Sequence, residues 1–132
     1  MKLISIVIPF KIIDESIYLW VQKRQSNDDL NGLLEFPGGK IEPNEGPLAA
    51  AIREVKEEVG VSLNPKSLKL LNSMEFSDSL TIFIFLTEDN FDSFEKAGFY
   101  PILDLLSEEN KILPNNRHII EQVKRYFEDF KV

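Results

Sequence analysis

The sequence predicts an α/β domain in which a mixed β-sheet lies between helices. Three observations carry that expectation. Segments rich in Ile, Val and Phe recur along the chain, an alanine-rich amphipathic stretch over 47–59 interrupts them, and a second amphipathic stretch closes the chain. Apolar faces of this kind are buried by stacking helices on a sheet. The length of 132 residues suits a single compact domain spanning 1–132. Ten Phe, three Tyr and one Trp supply bulky core material.

Each element can be justified in order. Lys2–Ile13 is dense in Ile and Val and reads as a buried strand. Asp14, Glu15 and Ser16 form a turn, and 17–25 reads as a second strand, hairpin-paired with the first. Residues 26–32 (SNDDLNG) are a polar loop, and 33–36 is a short apolar entry into a Pro37-Gly38-Gly39 turn. A helix is expected from near Pro47, because proline is tolerated at the first helical position, where its missing N–H is not needed. Leu48, Ile52, Val55 and Val59 recur at helical spacing and define its core face. Gly60 is placed to end it as a left-handed cap. Two more strands are expected over 68–76 and 80–87, joined by a turn at Ser77, Asp78 and Ser79. A short strand follows over 98–102, then a helical turn over 103–106. Pro114, Asn115 and Asn116 precede a final helix whose apolar stripe is Ile119, Ile120, Val123, Phe127 and Phe130. No internal repeat, low-complexity tract or domain linker interrupts this order.

The formal net charge is −7. An acidic surface argues against nucleic acid as a partner, since neutralising a phosphate backbone needs clustered Lys and Arg. A compact anionic substrate remains compatible if metal ions screen its charge. There are no cysteines, which excludes disulfides, zinc–thiolate sites and cysteine nucleophiles and fits a reducing cytoplasm, the expected location. Residues 3–10 are apolar but too short to span a bilayer. One lysine precedes them and no small-residue cleavage site follows, so they read as a first strand rather than a signal peptide. No membrane partner is expected.

The densest chemistry lies over 39–61. Glu54, Glu57 and Glu58 project from one side of the helix, away from the core face. Taken alone, such a face is ordinarily solvated. Here the acids crowd the helix C-terminus, where the dipole disfavours negative charge. Arg53 offers an i,i+4 partner to Glu57, but one arginine cannot neutralise three acids. The glycine pair just upstream can expose backbone carbonyls. Carboxylate and carbonyl oxygens without His or Cys suit hard cations such as magnesium or manganese. The segment also keeps a fixed spacing: Gly39, five residues, Glu45, seven residues, Arg53-Glu54, aliphatic Val55, one residue, Glu57-Glu58, one residue, Gly60 and aliphatic Val61.

At every defined position this spacing resembles that of the Nudix hydrolases. The resemblance sharpens the fold to the α/β/α sandwich of the Nudix fold. It implies hydrolysis of a phosphoric anhydride bond with Mg2+, or Mn2+, as cofactor. It implies Glu54, Glu57 and Glu58 as metal ligands, with the Gly38 carbonyl a further one. It implies Arg53 as the group that orients the glutamates and Glu45 as the holder of the loop-to-helix turn. The bland alternatives are a plain surface ion pair for Arg53 and a favourable N-terminal charge for Glu45. Bound divalent ions neutralise a diphosphate, orient it and lower the pKa of a bound water.

The segment over 34–42 (LEFPGGKIE) looks like the MutT type. That resemblance implies conversion of 8-oxo-dGTP to the monophosphate and pyrophosphate, cleansing the nucleotide pool, with attack at the β position. Four positions outside the spaced motif match nucleotide-contacting residues of that type, each with a structural alternative. Arg24 is otherwise a strand-end charge. Phe36 is otherwise a core residue. Asp78 is otherwise a turn former. Asn116 is otherwise a helix N-cap. Asn116 has a chemical rationale as well. Guanine N7 accepts a hydrogen bond, whereas the 8-oxo form carries N7–H, so an amide could donate to O6 while accepting from that N–H.

One departure stands out: the region where MutT-type enzymes carry a further loop glutamate offers Phe99, with Glu95 close by. The general base therefore lies among Glu54, Glu57 and a loop acid. The lone His118 reads as a surface residue of the last helix. Other substrates stay open, namely an ordinary nucleotide, ADP-ribose or a dinucleoside polyphosphate, as does a non-catalytic nucleotide-binding module. The partner is expected to be a small nucleotide and the chain a monomer, with a homodimer left open.

Overall fold

The computed structural model describes residues 1–107 and 111–129. Its frame is the first strand, β1 (Lys2–Ile13), whose consecutive residues Ile6, Val7 and Ile8 are all buried. Alternate side chains of a strand point to opposite faces, so burial of all three requires cover on both sides of the sheet. β2 (Ser16–Trp20) returns antiparallel against the second half of β1, pairing Leu19 with Phe10. The chain then leaves the sheet: Val21 donates its N–H to Gly98. A separate two-stranded ribbon follows, β3 (Gln22–Lys23) against β4 (Leu34–Glu35). The single strand expected over 17–25 is thus broken at Val21, and its second half belongs to this ribbon.

β5 (Gly38–Lys40) runs antiparallel to the first half of β1, pairing Gly38 with Ile6 and Lys40 with Ile4. The Pro-Gly-Gly segment is therefore a strand entry rather than only a turn. After α1 (Pro47–Val59), β6 (Leu68–Ser77) and β7 (Leu80–Glu88) form a bulged antiparallel pair. β7 lies parallel to β1 along Lys2–Phe10, which makes the sheet mixed. β8 (Phe99–Pro101) pairs with β2 and leads into α2 (Ile102–Ser107). α3 (Pro114–Asp129) closes the described chain.

Two buried clusters mark the two faces. Val7, Trp20, Phe85 and Phe94 pack with Ala51 and Val55 of α1. Ile6, Ile8, Leu19 and Ile84 pack with Ile102, Leu105, Ile119, Ile120 and Val123 of α2 and α3. The result is a sheet between helices.

The face of α1 differs from expectation. Ala50, Ala51 and Val55 are its buried residues, whereas Leu48 is 37% exposed. Ile52 and Val59 are half-buried. A close approach of α1 to β5 and β1 leaves room for methyl groups at the contact, so the alanine run rather than Leu48 faces the sheet. α3 starts at Pro114, so Asn116 lies inside the helix and is not its N-cap. Phe130 lies outside the described residues.

Candidate active site

The site forms where β5 passes between β1 and the acidic end of α1. Side chains are excluded from that passage on both flanks. A Cβ at Gly38 would lie 2.1 Å from the Ser5 carbonyl oxygen, and one at Gly39 would lie 2.5 Å from the carboxyl carbon of Glu54. The glycine pair therefore lets backbone reach the glutamates of α1. Pro47 at the start of α1 and left-handed Gly60 at its end, which returns its N–H to Lys56, fix how far the helix runs.

Arg53 organises the acidic face. Its Nε and Nη2 grip both oxygens of Glu45 at 2.8 and 3.0 Å, and Nη2 also donates to the Lys40 carbonyl at 3.0 Å. Nη1 donates to Glu54 at 3.0 Å and reaches Glu57 at 3.3 Å. A guanidinium has five N–H donors in a fixed fork, and these contacts use the whole fork. Glu45 also accepts the Glu42 N–H at 3.0 Å, which ties the loop before α1 into the same network. The Arg53 hydrogen bond, followed by that N–H, pulls the Glu45 carboxyl down to about 2. Reciprocally, Glu45 holds the Arg53 guanidinium well above its ordinary range.

Glu58 is different. Its carboxyl is pushed up to about 7, first by desolvation and also by its neighbour Glu54, against the pull of hydrogen bonds from Gln22 and from the Gly38 N–H. Gln22 Nε2 donates to Glu58 Oε2 at 2.6 Å. Glu54 and Glu58 are thus close enough to repel. Glu57 leans on Arg53 and is 59% exposed. Among the described residues no three acidic or imidazole groups converge into a ready-made cage. The donor set nevertheless fits a hard divalent ion. Magnesium takes one or two carboxylates plus water and substrate phosphate rather than an all-protein cage, and a cation would relieve the repulsion between Glu54 and Glu58.

A cavity of about 590 Å³ opens beside this face. Gly38, Gly39 and Glu58 line it from the acidic side, and Arg24, Phe36 and Asn116 from the other. Ile4, Ile6, Leu80 and Ile82 form apolar wall. Phe36 is 4% exposed, so it serves the core and the wall at once. Asn116 is buried, and its Oδ1 accepts the Phe36 N–H at 2.8 Å across 80 residues of chain. A main-chain N–H can only donate, so this bond sets which way the amide faces. Arg24 pairs with Glu35 at 3.1 Å, while its Nε is buried without a partner among the described residues.

Asp78 is exposed in the β6–β7 turn and does not line the cavity, although Leu80 just after it does. His118 is exposed, with its ring 6.4 Å from that of Phe76. Glu95 is exposed and gives its carbonyl to the Trp20 indole at 3.0 Å, and Phe99 lies under the Lys11 ammonium at 4.9 Å. None of these last three lines the cavity. Sequence reasoning passed over Gln22, Leu30 and Glu35. Glu35 carried a signal, since it sits inside the Leu-Glu-Phe-Pro-Gly-Gly run. Gln22 carried none, because only its pairing with Glu35 brings it to the acidic face.

The family model described as NUDIX domain matches residues 4–128. The chain belongs to the Nudix family. An 8-oxo-dGTP diphosphatase of Proteus vulgaris is 35% identical over 89 residues, which is 66% of this chain and 80% of the relative. An 8-oxo-dGTP diphosphatase of Escherichia coli K12 is 37% identical over 78 residues, 58% of this chain and 60% of the relative. Among solved structures, MutT from a study of Aliivibrio salmonicida and Vibrio cholerae superposes with a TM-score of 0.70 at 29% identity, covering 92% of this chain and 95% of that one. This Nudix protein is of the MutT type and is a hydrolase acting on phosphoric anhydride bonds.

Proposed function

We propose that this Nudix protein is a magnesium-dependent nucleoside triphosphate pyrophosphohydrolase that converts 8-oxo-dGTP to 8-oxo-dGMP and pyrophosphate, removing an oxidised precursor from the cytoplasmic nucleotide pool. One observation carries the reading: a single cavity is lined by Glu58 and Gly38 on one side and by Phe36 and Asn116 on the other. A base held at the second pair places its phosphates beside the first.

Glu54 and Glu58 hold the Mg2+, or Mn2+, with Glu57 and the Gly38 carbonyl completing the donor set alongside substrate oxygens. When bound, the ion neutralises the phosphates and lowers the pKa of a water. Arg53 aims Glu54 and Glu57, and Glu45 keeps Arg53 in place. Glu54 or Glu57 takes the proton of the attacking water. Arg24 meets the nucleotide with the donors that Glu35 leaves free.

Asn116 reads the base. The Phe36 N–H occupies one lone pair of Oδ1, which leaves the second lone pair and the Nδ2 donors. Oδ1 accepts N7–H of the 8-oxo base and Nδ2 donates to O6. Unmodified guanine would set its N7 acceptor against the remaining Oδ1 lone pair, leaving N7 unpaired.

Product formation is the test, read as pyrophosphate from the triphosphates and as the released nucleotide from ADP-ribose and dinucleoside polyphosphates. The reading expects turnover of 8-oxo-dGTP with Mg2+, none with EDTA, and lower kcat/KM for dGTP, ADP-ribose and dinucleoside polyphosphates. No turnover of any of these by folded protein would overturn it. Faster turnover of another nucleotide would keep the chemistry and replace the substrate.

A further inference from the structure

We propose that Gln22 is a positioning residue for the cation: its amide clamps one oxygen of Glu58 and leaves the other for the ion. The inference rests on reading the acidic face as the metal site. Glu58 sits beside Glu54, and two neighbouring carboxylates tend to swing apart unless something holds them. The Gln22 amide does so from outside the helix, at 2.6 Å and across 36 residues of chain, alongside the Gly38 N–H. It is a neutral donor. An Arg or Lys at the same place would hold Glu58 as well, but its charge would oppose a divalent ion. Gln22 fixes orientation without spending the charge that the ion needs.

The placement of Gln22 also joins the two halves of the site. In the ribbon Gln22 pairs with Glu35, and Glu35 holds Arg24 at the nucleotide cavity. Gln22, Glu35 and Glu58 line a smaller adjoining cavity of about 360 Å³ together with Lys23 and Gln25. The ribbon that presents Arg24 to a nucleotide therefore also grips a carboxylate of the metal face, and displacement of one is transmitted to the other.

Mn2+ binding without nucleotide, measured by electron paramagnetic resonance, tests the proposal. Gln22→Met keeps the length and removes the donor. Its Kd for Mn2+ should rise about tenfold, the lower end for loss of an outer hydrogen bond to a metal ligand. The Mn2+ concentration for half-maximal activity should rise in step, with kcat at saturating Mn2+ little changed and the thermal midpoint close to wild type. Gln22→Val, which suits a strand, should reproduce the loss and serves if the Met variant folds poorly. Equal Kd values for wild type and both variants would overturn the proposal, whatever happens to the thermal midpoint. Absence of Mn2+ binding to wild type would instead overturn the metal reading beneath it.

Discussion

The acidic end of α1 and the nucleotide cavity beside it are built in opposite ways. The acidic end is local: Glu45, Arg53, Glu54, Glu57 and Glu58 come from one loop and one helix, and the Arg53 fork binds Glu45, Glu54 and Glu57 into a unit. The cavity is assembled from afar, since Arg24 comes from the end of a ribbon, Phe36 from the link between two strands, and Asn116 from the last helix. The first region is a pattern, and short-range spacing reveals it. The second is a meeting place, where each residue also has structural work. The difference suggests that reaction type and base choice can be broken separately.

The largest effect should come from Glu54→Gln. It removes a charge that Arg53 orients and that adjoins Glu58, and kcat should fall on the order of 10³-fold. The variant should keep its circular dichroism spectrum. Gly39→Ala should approach this loss, because the new methyl strikes the Glu54 carboxyl group, the movable tip of a side chain. Gly38→Ala should instead reduce stability, because its methyl strikes the Ser5 carbonyl, which is backbone. Thermal melts beside activity assays would separate the two.

Breaking the cavity should look different. Asn116→Ala leaves the buried Phe36 N–H without an acceptor, at a cost of about 1–3 kcal/mol, and should lower the thermal midpoint as well as the preference for the oxidised base. Asn116→Asp still accepts that N–H but cannot donate to O6. Because O6 is common to both bases while an Oδ atom still meets N7–H, it should lower both specificity constants and keep the preference.

The smallest effect concerns acid stability. Glu45 titrates near 2 in the fold, below its ordinary value of 4.5. A depressed carboxyl stabilises the fold above the unfolded value, and that contribution is lost as pH falls through the folded one. Glu45→Gln should therefore lower the urea midpoint at neutral pH. The gap to wild type should narrow as pH drops from 4.5 towards 2, and a gap constant with pH would detach Glu45 from Arg53.

The same contrast explains what could be read from the sequence. α1 was legible at both ends because Pro47 and Gly60 are local signals acting through backbone geometry. Apart from β5, which read only as a turn, the strands of the sheet were legible from apolar density, including β1 over its full length. The break at Val21 was not, because it depends on a hydrogen bond to Gly98, far along the chain. Leu48 misled because periodicity cannot say how near a helix lies to its sheet. The caution over Asn116 was resolved against the cap, since its oxygen serves a backbone N–H of β4's exit rather than its own helix.

Specificity constants for 8-oxo-dGTP and dGTP, measured side by side for wild type, Glu54→Gln and Asn116→Ala, test the separation most directly. Glu54→Gln should lower both constants by the same factor and leave their ratio unchanged. Asn116→Ala should collapse the ratio by lowering the constant for 8-oxo-dGTP more than that for dGTP. A ratio altered by Glu54→Gln, or kept by Asn116→Ala, would contradict the account.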